Sequence, residues 1–99
     1  MLTKQEVQVI IRESIMAVNE EKMGGEQIPV ADDTVLMGSG TVLDSLDFIL
    51  LVTNIEERLF ASTKRQYQLA QDMGAFENDN PFRTADTLSD HILAVIGTD

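Results

Sequence analysis

The sequence predicts an all-α domain built as a small bundle of three main helices. Three runs of apolar residues recur at helical spacing, and no two alternating runs are joined by a hairpin turn. Ninety-nine residues also allow one domain with one modest core.

The first helix is expected over about residues 4–22. Thr3 to Glu6 reads T-K-Q-E, a hydroxyl at the cap with a carboxylate three residues on. Val7, Ile10, Ile11, Ser14, Ile15 and Val18 follow at helical spacing, and Gly24 and Gly25 supply the stop. Residues 24–43 hold four glycines, a proline and an Asp pair without a helical period. Ile28, Val30, Val35, Leu36, Met37, Val42 and Leu43 are too many apolar residues for a free linker. They predict a long loop pinned to the core, and a long loop in a compact domain is usually functional.

The second helix is expected over about 45–60, with Asp44 as its cap and Asp47 in its first turn. At about 100° per residue, Phe48, Leu51, Val52, Ile55 and Leu59 share one inward stripe. Leu46, Leu50, Thr53 and Glu57 form an outward line, and Ser45 lies at the flank one turn above Ile49 and Val52. Residues 62–83 read as an irregular insertion, with a short helical turn near Leu69 to Met73. The final helix is expected over about 87–96, capped by T-L-S-D at Thr87 to Asp90 and ended by Gly97.

Composition narrows the function. There are 17 acidic residues against seven Lys plus Arg, a net charge of −10. Nucleic-acid binding needs a basic footprint and is not expected; partners with basic docking surfaces are. No run is long or apolar enough to span a membrane, and the N-terminus lacks a signal-peptide pattern. A cytoplasmic monomer is expected. The chain has no cysteine, so any thiol chemistry must come from a cofactor.

The stretch around Ser45 carries the sharpest signal. A Gly-x-Gly turn at Gly38 and Gly40 leads into Leu43-Asp44-Ser45-Leu46-Asp47, which opens a helix reaching Ile55-Glu56-Glu57. With the closing F-R-T-A-D-T-L at residues 82–88, this layout resembles the acyl carrier proteins over most of the chain. The resemblance implies a four-helix bundle, three main helices plus a short third one. It implies esterification of Ser45 by 4′-phosphopantetheine, delivered from coenzyme A by a phosphopantetheinyl transferase, with Asp44 assisting. The arm's thiol would then carry an acyl or aminoacyl group as a thioester, and the chain itself would catalyse nothing. Leu46, Asp47, Ile49, Leu50, Thr53, Glu56 and Glu57 are the implied face for loading and processing enzymes.

Two departures bear on the pathway. Fatty-acid carriers usually have a glutamate where Leu50 stands and an apolar residue where Thr53 stands, and residues 62–80 exceed their short link. Both point away from the housekeeping fatty-acid carrier and suit a specialised one: polyketide-like, aminoacyl (D-alanyl or peptidyl type), or of a dedicated lipid pathway. An unmodified acidic interaction module is the alternative from another class.

Other constellations have simpler explanations. A Ser45–His91 hydrolase needs a base in reach and an oxyanion hole, and the chain's one His fits a surface or core-edge position. Asp32–Asp33 and Glu77-Asn78-Asp79-Asn80 lack the ligand pattern of a calcium loop and read as turns, so no metal is expected. Gly38 and Gly40 lack the lysine and spacing of a phosphate-binding loop.

Overall fold

The computed structural model describes residues 2–21, 27–37, 41–67, 69 and 82–97, with Ser45 and Gly97 described by backbone alone. Among the described residues three α-helices follow in order: α1 (Lys4–Glu21), α2 (Ser45–Thr63) and α3 (Ala85–Gly97). Helix α1 packs against both others. No described helix is long and apolar enough to cross a membrane. The short helical turn expected near Leu69 to Met73 lies outside the described residues beyond Leu69, as do the Gly24–Gly25 stop, the Gly38–Gly40 turn and Glu77 to Asn80.

Helix α1 begins as its sequence dictates. The Thr3 N–H donates to Glu6 Oε1 (3.0 Å) and the Glu6 N–H to Thr3 Oγ1 (3.2 Å), a reciprocal cap that pairs two N–H groups left over at the helix start. Its inner face buries Val7, Ile10, Ile11, Ser14, Ile15 and Val18. The Ser14 hydroxyl is buried without penalty because it donates to the Ile10 carbonyl. Near the helix end, the Asn19 amide clasps Ile28. It donates to the Ile28 carbonyl (2.9 Å) and accepts from the Ile28 N–H (2.8 Å), which brings the loop back onto the helix.

The loop is pinned as expected at Ile28, Leu36 and Leu43, which are buried, and at Met37 and Val42, which pack on the core. Val30 instead is exposed, so it is not one of the pins. An unforeseen backbone seam joins the loop to the start of α3. Val35 and Thr84 form an isolated antiparallel bridge. The Ala85 N–H donates to the Thr34 carbonyl (3.0 Å) and the Asp86 N–H to the Asp32 carbonyl (2.7 Å). The Thr87 N–H donates to Thr84 Oγ1, and Thr87 Oγ1 accepts from the Thr84 N–H. The exposed first-turn donors of α3 are thereby satisfied by the loop and by one threonine. Helix α3 therefore starts at Ala85, and its cap is Thr84. The expected T-L-S-D cap is corrected: Thr87 is the reciprocal partner inside the helix, and Ser89 is buried with its hydroxyl donating to Asp86 O.

Helix α2 runs three residues past the expected end. Its apolar stripe stops at Leu59, but nothing in Ala61-Ser62-Thr63 breaks a helix, and the Thr63 hydroxyl donates to the Leu59 carbonyl. The helix ends at Lys64, whose φ of 62° is left-handed and whose N–H donates to the Phe60 carbonyl. Glycine usually fills that position, so the sequence carries no stop signal there. The expected core residues Phe48, Leu51, Val52, Ile55 and Leu59 are all buried, and so are Ile92 and Ile96 of α3. Phe82 joins them fully buried, edge-on to Phe48 at 5.7 Å between ring centres. Tyr67 and Leu69, inside the stretch expected to be irregular, are buried as well.

Candidate functional site

The loop-to-helix junction at Asp44 builds the site. Asp44 is extended (φ −87°, ψ −178°), and its Oδ1 accepts the Asp47 N–H at 2.8 Å. Asp47 folds back so that its Oδ2 accepts the Asp44 N–H at 3.4 Å. The two aspartates close a capping box, and Ser45 is the first residue of α2. Two carboxylates beside the positive end of a helix also stabilise its dipole. Asp44 is exposed and remains reachable.

The box corrects one expected partner residue. Asp47 is only 7% exposed and is committed to the cap, so it does not belong to an outward face. Leu46, next to Ser45, is 64% exposed, and Ile49 one turn on is 59% exposed. Thr53 and Glu57 are exposed, as expected. Leu50 is a second correction: it is half-buried and packs against the core. Helical phase fixes where a Cβ points but not what the rest of a long side chain meets.

Glu56 is the third correction. It is half-buried, and its Oε2 accepts the Leu69 N–H at 2.6 Å. The carboxylate holds the chain that leaves α2 instead of simply facing a partner. Phe60, not foreseen, is half exposed at 50% on the same side as Ile49 and Thr53. Its signal was available: Ile49, Thr53 and Phe60 lie within about 40° of one another around the helix axis.

The rival constellations find bland placements. His91 is half-buried with its ring 5.9 Å from that of Phe82, a core-edge position. Asp32 lies in a turn whose carbonyl caps α3. Among the described residues no group of three or more His, Cys, Asp or Glu side chains is placed to hold a metal ion. The junction thus offers a serine at a helix start, a carboxylate beside it and exposed apolar side chains one residue and one turn away. Comparison of the chain with family models, with curated proteins and with solved structures gives no match.

Proposed function

We propose that this chain is a carrier protein of the acyl-carrier type, modified by 4′-phosphopantetheine on Ser45. The observation that carries the reading is the position of Ser45 as the first residue of α2, directly after the capping carboxylate of Asp44. A phosphodiester at that place lies by the first-turn N–H groups and the positive end of the helix dipole, worth about 0.3–1 kcal/mol. The arm supplies the thiol that a chain without cysteine lacks. A thioester on it presents an acyl or aminoacyl group to successive enzymes at high effective concentration. The chain performs no catalysis in this reading; it positions cargo for enzymes of a fatty-acid-like, polyketide-like or other specialised pathway.

Leu46 and Ile49 are the apolar contacts a docking enzyme meets first, with Thr53 and Glu57 further along the helix. The same side chains would serve an unmodified interaction module, and one measurement separates the two. Incubation with coenzyme A, magnesium and a promiscuous phosphopantetheinyl transferase should add one phosphopantetheine to the intact mass, and Ser45→Ala should abolish the addition. An unchanged mass with several transferases, from protein that is folded, leaves the interaction module standing.

A further inference from the structure

The loop side of the Ser45 junction is held by a residue outside the capping box. The Leu43 N–H donates to Thr41 Oγ1 at 3.1 Å, so the threonine side chain closes a turn on the backbone two residues ahead of it. Leu43 is buried and Val42 packs on the core, while Thr41 itself is half-buried. The Phe48 N–H then donates to the Asp44 carbonyl at 3.0 Å, which opens the helical ladder of α2. The chain thus passes from a turn closed by Thr41, through one buried anchor, into the capping box and Ser45.

The two holds act on different links. Asp44 and Asp47 fix the helix side, whereas the Thr41 hydroxyl fixes how Leu43 enters. Without that hydroxyl, Leu43 can turn its N–H to water only by rotating the backbone, and the rotation is passed through Asp44 to Ser45. Leaving the N–H in place without an acceptor costs the desolvation of a buried donor. Either way, the extended conformation of Asp44 (φ −87°, ψ −178°), from which Ser45 starts the helix, is populated less. In the transfer from coenzyme A, the Ser45 oxygen bonds to the phosphorus that carries pantetheine. The bond from that phosphorus to adenosine 3′,5′-bisphosphate breaks, and the hydroxyl proton leaves to a base of the transferase. A nucleophile misplaced by about 1 Å can lose about 100-fold in rate, so the starting point of α2 matters to that step.

We propose that Thr41 is a positioning residue for the modification of Ser45: its hydroxyl, by holding the Leu43 N–H, fixes the backbone from which Asp44 and Ser45 are presented. The inference rests on the carrier reading and deepens it. It concerns presentation of the serine and not docking of the enzyme, because the exposed Leu46 and Ile49 lie on α2 itself.

The test takes wild type, Thr41→Val and Thr41→Ser through steady-state modification by a promiscuous phosphopantetheinyl transferase with coenzyme A and magnesium, beside native-state hydrogen exchange. Valine keeps the shape of threonine and removes the acceptor, and serine keeps the acceptor. In Thr41→Val, kcat should fall about two- to tenfold, the span that one neutral hydrogen bond supports, with KM for the carrier within about twofold. The Leu43 and Asp44 amides should exchange faster by a similar factor, while those of Leu51 and Ile55 stay as they are. Thr41→Ser should restore both readouts. Thr41→Ala loses the same acceptor and is the second variant if Thr41→Val disturbs folding. A wild-type kcat in Thr41→Val, the same loss in Thr41→Ser, a loss confined to KM, or unchanged exchange at Leu43 would overturn the proposal. A wild type that accepts no arm marks the failure of the carrier reading instead, and the exchange arm still decides whether Thr41 holds Leu43.

Discussion

Replacing Glu56 by alanine should release the chain that follows α2 without unfolding the bundle. The wild-type segment 65–69 is close to balance. Burying Tyr67 and Leu69 contributes about 3–6 kcal/mol, taking 1.5–3 for each side chain. The Leu69 N–H bonded to a carboxylate adds about 1.5–3 kcal/mol. Ordering the four described residues 65, 66, 67 and 69 opposes these gains by about 4–8 kcal/mol, at 1–2 each. Removing the carboxylate should therefore tip the segment towards opening while the helices stay packed.

Native-state hydrogen exchange reads this directly. The Leu69 amide should exchange about 10- to 150-fold faster in Glu56→Ala, the equivalent of the lost hydrogen bond. The amides of Leu51 and Ile55 should change far less, because their exchange needs the core to open. Tyr67 is the chain's one tyrosine and there is no tryptophan, so its fluorescence reports the same release. Unchanged exchange at Leu69, or equal acceleration at Leu51 and Ile55, would refute the claim that Glu56 acts locally.

Because the cap of α2 belongs to Asp44, Ser45→Ala should alter stability by under about 0.5 kcal/mol, whereas Asp44→Ala should cost about 0.5–2 kcal/mol; urea titration separates them. Leu51→Ala or Ile55→Ala should cost about 2–5 kcal/mol, and the half-buried Leu50→Ala about 1 kcal/mol; equal losses at 50 and 51 in the same titration would mean the helix is phased differently. Lys4 ties α1 to α3 through Asp90 (3.0 Å) and Asp86 (3.3 Å), and hydrogen bonds to Asp90 first and Asp86 second raise its pKa above the ordinary 10.5. A raised folded-state value means that the tie contributes fully below that ordinary value and is lost as pH rises through the folded one. Thermal melts of wild type and Lys4→Met should thus keep a constant gap from neutral pH to about 10 and converge above it.

What the sequence disclosed was local and periodic. The T-K-Q-E cap, the Asp44 cap and the inward stripe of α2 each depend on residues within a turn or two of one another. What it concealed depends on distant chain. The start of α3 is set by carbonyls of Asp32 and Thr34, some fifty positions away, so no local motif marks Ala85 as the first residue. Phe82 lies in a polar stretch without period that also holds Tyr67 and Phe76, so nothing local singles it out, yet it fills the core beside Phe48. Lys64 in a left-handed conformation gives no glycine to read. At the site, Asp44 and the backbone position of Ser45 were legible because capping is local. The commitments of Asp47 and Glu56 were not, since an acidic residue on an outer line looks the same whether it faces water or a backbone N–H.

Those commitments change how docking on α2 has to be tested. An outward line of Leu46, Leu50, Thr53 and Glu57 suggests a glutamate at position 50 as the probe of an apolar contact. With Leu50 packed on the core, that change also draws a carboxylate into a half-buried place, and desolvation then costs folding as well as docking. Ile49 is 59% exposed and lies on the same side as Thr53 and Phe60, so a glutamate there meets water in the free protein. Ile49→Glu should therefore weaken a partner while leaving the urea midpoint unchanged, and Leu50→Glu should lower both. A stability loss in Ile49→Glu as large as in Leu50→Glu would place the outward face of α2 elsewhere, and with it the surface on which a carrier's enzymes would have to land.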